Sequence, residues 1–103
     1  MSELNGGRVL LEKKIERVVC EYARSRGHLA YKFTSPQRAA VPDRLMIAPG
    51  GFVYFIEFKA YGKKPTPQQM REHERLRVQG VNVYVIDNID DGKGVVDGYP
   101  ESK

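Results

Sequence analysis

Apolar positions along the chain change their period several times, and each change predicts a different element. From Arg8 to Arg26, Leu11, Ile15, Val18, Val19 and Tyr22 recur at helical spacing, which predicts a first helix. Gly27 follows it, the residue type that commonly sits just past a helix end. Leu29, Tyr31 and Phe33 then alternate with Ala30 and Lys32, the two-residue period of a strand. A polar loop from Thr34 to Arg38 leads to Pro42, and Arg44 to Ala48 reads as a second short strand. Past the turn signal Pro49-Gly50-Gly51, the segment Phe52 to Lys59 is rich in aromatic and β-branched residues and reads as a third. A second helix has a well-marked start. Thr66 is the N-cap, Pro67 takes the first helical position, and Gln69 completes a capping box. Gly80 ends that helix, and Val81, Val83 and Val85 alternate through a last strand to Ile86. Asn5-Gly6-Gly7 reads as a flexible opening, and beyond Asp87 the run of Gly and Asp assigns no element.

The predicted order is therefore α-β-β-β-α-β. Three strands joined by short turns form an antiparallel meander, and a helical crossover of about twenty residues permits the fourth strand to lie parallel to the third. The expected class is α/β, a mixed four-stranded sheet flanked by helices. At 103 residues the chain holds one modest core, expected over about 8–87 with a tail at 88–103. Seventeen Lys and Arg against thirteen Asp and Glu give +4, compatible with a polyanionic partner such as nucleic acid. Cys20 is the sole cysteine, which excludes an intramolecular disulfide and a cysteine zinc cage. Helical geometry turns it away from the apolar stripe. No apolar run resembles a secretory signal or spans a bilayer, so no membrane partner and a cytoplasmic location are expected.

Two acids and a lysine interrupt this strand-rich region. Glu57 and Lys59 fall on one face of the third strand, about 6–7 Å apart. Asp43 opens the preceding strand after a stiffening proline, and the Pro49-Gly50-Gly51 turn brings that end of the sheet back towards Glu57. Charges buried there are costly unless paired or bound to a metal. Two converging carboxylates make a hard oxygen site suited to Mg²⁺ or Mn²⁺, and a neighbouring ammonium can serve the attacking water or the developing phosphate charge. The plainer reading has Glu57 and Lys59 as a salt-bridged strand edge and Asp43 as a turn cap. On the first helix, Glu12 projects closer to the centre of the apolar stripe than Glu16 does, and Glu16 reads as a solvated helix residue. Lys32, Arg38, Arg44, Lys63 and Lys64 flank the acids and are candidate phosphate contacts, or else solvated loop charges. Tyr61 either stacks on a base or covers the core edge. His28 and His73 lack zinc spacing and read as surface or packing residues.

The run Pro42-Asp43 followed by Glu57-Phe58-Lys59 resembles the motif of the PD-(D/E)XK nuclease superfamily, whose core has this element order. More closely, the chain resembles the VRR-NUC (virus-type replication-repair nuclease) family through Glu12, Lys32-Phe33, Val41-Pro42-Asp43-Arg44, Gly50-Gly51, Glu57-Phe58-Lys59, Pro67-Gln68-Gln69, Leu76 and Gly80. The resemblance implies a restriction-endonuclease-like core and a divalent-metal-dependent phosphodiesterase. It implies that Asp43, Glu57 and the main-chain carbonyl of Phe58 ligate the metal, with Glu12 as a further acid, Lys59 serving the water or the transition state, and Gln69 close by. For a chain this small it further implies a phage-type, homodimeric endonuclease acting on branched DNA in the host cytoplasm, a Holliday-junction-resolving enzyme. The competing expectations are a non-catalytic DNA-binding module on the same fold, a flap or duplex nuclease, and a restriction-type enzyme, for which the chain leaves little room.

Overall fold

The computed structural model describes residues 2–102, with side chains from residue 11 onward. Its elements are α1 (Ser2–Ser25), β1 (Leu29–Lys32), β2 (Arg44–Ala48), β3 (Phe52–Phe58), α2 (Pro67–Val78), β4 (Asn82–Ile86) and α3 (Ile89–Asp97). The sheet order is β1-β2-β3-β4, with the first two pairings antiparallel and the last parallel. The β2–β3 hairpin turns on Gly50 and Gly51, whose φ values of 94° and 85° lie where a side chain is rarely tolerated.

Each strand presents alternate residues to two different covers. Met46, Tyr54, Ile56 and Phe58 point to one face and are closed over by Ile15, Val19 and Ala23 of α1 and Val96 of α3. The other face carries Phe55, Glu57 and Val83, and α2 packs beside β4 on that side. Thr66 caps α2 with the reciprocal bonds of a capping box: its side chain accepts from Gln69 N–H, and Gln69 Oε1 accepts from Thr66 N–H. No helix among the described residues is long and apolar enough to cross a membrane.

The arrangement of elements and core departs from the sequence expectations in three places. Helix α1 runs on through Asn5-Gly6-Gly7 to Ser2, since extending an existing helix costs far less than nucleating one. Cys20 does not point away from the core; it is buried within it, because the buried stripe is Ile15, Val19, Cys20 and Ala23, whereas Leu11 is exposed. The tail forms the helix α3, capped by the Asn88 side chain accepting from Asp91 N–H, with Asp90 and Asp91 in its first turn, where acids favour the helix dipole. Gly92 lets α3 sit against α1, since a Cβ there would run into Val19 Cγ2.

Candidate metal centre and its surroundings

The β2–β3 register that pairs Arg44 with Ile56 carries Asp43, one residue earlier, opposite Glu57. Asp43 is fixed there from both sides. Its main-chain carbonyl accepts from Phe33 N–H at 3.0 Å, and its Oδ2 accepts from Phe58 N–H at 2.8 Å. Glu57 is 2% exposed and is held by three neighbours. Gln69 Nε2 donates to its Oε2 at 3.1 Å, Lys59 Nζ lies 3.5 Å from the same oxygen, and His73 Nε2 lies 3.9 Å from Oε1. The Gln69 amide thus performs two tasks, its oxygen closing the helix cap and its nitrogen orienting Glu57.

The electrostatics record two acids in one small space. Burial, followed by the charge of Asp43, pushes Glu57 up to about 7, against the opposing pull of Lys59. Burial also raises Asp43, with the Phe58 N–H bond working the other way. His73 is driven down by burial and by Arg77, so it sits neutral and its approach to Glu57 is polar rather than ionic. Among the described residues, Glu57 Oε1 and His73 Nε2 are buried with no hydrogen-bond partner.

That orphaned oxygen tests whether the site fits a divalent cation. A cation would satisfy Glu57 Oε1 and offset the repulsion between Asp43 and Glu57, and the donors are the hard oxygens that Mg²⁺ and Mn²⁺ prefer. Among the described residues no three His, Cys, Asp or Glu side chains converge on one point. Two carboxylates are a sufficient side-chain set for Mg²⁺, which keeps several waters and takes few protein ligands.

The remaining candidates are distributed unevenly. Glu12 is half-buried and adds to the upward push on Glu57 through space, but it stands on α1, which packs against the opposite sheet face. Glu16 is not a solvated helix residue: its Oε2 accepts from Arg44 Nε at 2.7 Å. That bond also overturns the expectation that Arg44 contacts phosphates. With a side chain only 13% exposed, Arg44 is committed to Glu16 and to the Ala30 carbonyl, because a half-buried carboxylate recruits a cation. Lys32, Lys63 and Lys64 are exposed, and the loop bearing the last two is tied to β4 by Gly62 N–H donating to Asp87 Oδ2 at 3.0 Å. Tyr61 in that loop is 71% exposed and does not cover the core. Arg38 is half-exposed and bonds Glu72. His28 packs in the interior against the Tyr54 hydroxyl.

Sequence reasoning missed His73 as a neighbour of the centre. Its signal was available: His73 follows Gln69 by four residues and so shares its face of α2.

Comparison with known proteins bears on the family of the chain. No family model matches the chain. It is 48% identical over 83 residues to the protein named Putative nuclease p44 of Acyrthosiphon pisum secondary endosymbiont phage 1, a match covering 81% of this chain and 89% of that one. A solved structure described as a VRR_NUC domain superposes with a TM-score of 0.79 at 34% identity, covering 85% of this chain and 96% of the other. The chain belongs to the VRR-NUC family. A second structure, described as a VRR_NUC domain protein, shares the fold with a TM-score of 0.67 at 21% identity, over 85% of this chain and 86% of its own. The VRR-NUC chain described here carries, beyond the α-β-β-β-α-β core, the α3 helix that packs on α1.

Proposed function

We propose that this VRR-NUC protein is a divalent-metal-dependent DNA endonuclease acting on branched DNA, with the four-way junction as its favoured substrate and a homodimer as its working form. The observation that carries the metal dependence is the pair of opposed carboxylates, half-buried Asp43 and buried Glu57, in which Glu57 Oε1 is left unpartnered while Lys59 lies against Oε2. Asp43 and Glu57 would hold a Mg²⁺ or Mn²⁺ ion, with the Phe58 carbonyl as a main-chain ligand and Glu12 adding negative charge. When bound, such an ion polarises the phosphodiester and makes water a better nucleophile.

The protein's own groups perform the rest. Asp43 is held in place by Phe58 N–H, so its carboxylate cannot rotate freely. Gln69 fixes Glu57 through Oε2 and leaves Oε1 without a hydrogen-bond partner. The Lys59 ammonium, in its half-buried position, is placed to orient the attacking water or to stabilise charge building on the phosphate oxygens. Lys32, Lys63 and Lys64 supply cationic surface for the flanking backbone.

An uncovered apolar row supports the homodimer. Leu29, Ile47 and Val53 lie opposite one another across β1, β2 and β3, and Leu29, Tyr31 and Val53 on that face are 48%, 54% and 43% exposed. Apolar surface of this kind commonly marks an interaction site, and a twofold dimer matches the symmetry of a four-way junction. A cleavage panel of single-stranded, duplex, flap and four-way-junction DNA with Mg²⁺ or Mn²⁺ tests the reading. Preferential, symmetric nicking of the junction is expected. Equal cutting of plain duplex removes the junction preference, and a strictly monomeric protein by sedimentation at micromolar concentration removes the dimer.

A further inference from the structure

Beside the metal centre, and unused by it, lies a polar cavity of about 410 Å³ lined by Gln37, Arg38, Gln68, Arg71, Glu72 and Arg75. Gln68, Arg71, Glu72 and Arg75 occupy one face of α2 at i, i+3, i+4 and i+7, next to the Gln69 and His73 face that rests on Glu57. Glu72 is buried, and a single oxygen organises the cavity. Glu72 Oε1 takes Arg38 Nε at 2.9 Å and lies 3.6 Å from Arg75 Nε. The inner nitrogen of Arg38 is thus hydrogen-bonded and that of Arg75 ion-paired, and among the described residues the terminal nitrogens of both make no hydrogen bond. Both side chains are well exposed, 48% and 64%. Three arginines against one carboxylate leave the cavity net positive, and free guanidinium forks match phosphate oxygens bidentately.

We infer that this cavity is a phosphate-binding subsite that grips the DNA backbone a few nucleotides from the scissile bond, with Arg38, Arg71 and Arg75 as its donors and Gln37 and Gln68 as neutral hydrogen-bonding partners. The DNA identity of the ligand rests on the nuclease reading; the phosphate chemistry rests on the cavity. From Gln68 to Arg75 the helix rises about 10 Å, enough for Arg71 and Arg75, one turn apart, to reach neighbouring backbone phosphates. Glu72 acts as the positioning residue that presets Arg38 and Arg75, and it carries no contact to the ligand itself.

The test is binding of fluorescently labelled duplex and four-way-junction DNA across a salt series, in an Asp43→Asn background that prevents cutting. Arg71→Gln/Arg75→Gln leaves Arg38 to neutralise Glu72, so the fold is retained. It should raise Kd about tenfold at low salt and reduce the slope of log K against log salt by about 1–2, because each lost phosphate contact removes about 0.9. Arg17→Gln/Lys93→Gln removes the same charge from α1 and α3, on the other side of the sheet, and should leave the slope in place. An unchanged slope in the first variant, or an equal loss in the second, overturns the subsite. Should the first variant unfold, Arg75→Lys carries the test: weaker binding supports the subsite and wild-type binding overturns it. Wild-type protein that cuts DNA while the first variant keeps its slope refutes the subsite alone. Wild-type protein that binds through these arginines without cutting refutes the nuclease reading alone, and no DNA binding at all overturns both.

Discussion

Replacing Glu57 by Gln should stabilise the metal-free protein at pH 8 while destroying its activity. Glu57 titrates at about 7 in the fold against an ordinary 4.5, chiefly through burial and then through Asp43. Because the folded-state value lies above the unfolded one, the fold favours the protonated carboxyl. This contribution to stability is full below about pH 4.5 and is lost as the pH rises through about 7. The displacement corresponds to about 3 kcal/mol of penalty for the ionised form above that pH. Glutamine keeps the shape and can still accept from Gln69, but carries no charge to bury. In urea titrations with EDTA, Glu57→Gln should therefore unfold at a midpoint about 1–2 M above wild type at pH 8, and close to wild type at pH 4. Mg²⁺ added at pH 8 should raise the wild-type midpoint and leave the variant where it was. A variant no more stable than wild type at pH 8, or a gap that is the same at both pH values, would refute the idea that burial and Asp43 penalise the ionised form of Glu57 more than Lys59 offsets.

Gln69 separates its two tasks by substitution. Gln69→Glu preserves the capping box, so the thermal midpoint should stay within a few degrees of wild type, yet it sets a carboxylate beside Glu57 and should lower cleavage by at least about tenfold; wild-type turnover would show that the Gln69–Glu57 bond has no functional weight. Lys59→Ala should lose turnover far more than metal affinity, as measured by steady-state kinetics beside Mn²⁺ calorimetry, and a matched loss in both would move Lys59 from the chemical step to metal retention. Gly92→Ala should cost about 1–3 kcal/mol in thermal or urea unfolding, the usual range for overpacking, because the added methyl meets Val19; an unchanged midpoint would mean that α3 packs more loosely on α1 than described.

Most of the frame was legible because local signals and the tertiary arrangement agree. The Gly50-Gly51 turn needs positive φ, the Thr66-Pro67-Gln69 start needs no partner outside α2, and strand alternation put Glu57 and Lys59 on one face. The failures have equally particular causes. Helix α3 was hidden because Gly92 and Gly94 lower helix propensity, although the Asn88 cap and the Asp90-Asp91 turn were visible; only packing against Val19 explains why glycine is wanted there. Cys20 was misplaced because the apolar stripe was drawn through the larger Leu11 and Tyr22, while the sheet buries the narrower face bearing Ile15, Val19, Cys20 and Ala23. Arg44, expected on the phosphate-binding surface, turned inward because Glu16 waits beneath it. A sequence shows that charge is present and not which charge neutralises it. For the same reason Glu72, flanked by basic residues on α2, gave no hint that it fixes Arg38 from a different element.

Whether Asp43 and Glu57 together hold the ion that drives phosphodiester hydrolysis is decided by the initial rate of DNA cleavage for wild type and Asp43→Asn, with Mg²⁺ and with EDTA. Asparagine can still accept from Phe58 N–H, so folding is preserved while one of the two charges is removed. Cleavage by wild type is expected only with Mg²⁺, with a loss of at least about 10³-fold in the variant, equivalent to about 4 kcal/mol of transition-state stabilisation. Cleavage that persists in EDTA, or an Asp43→Asn protein that cuts at the wild-type rate, would contradict that role for the two acids.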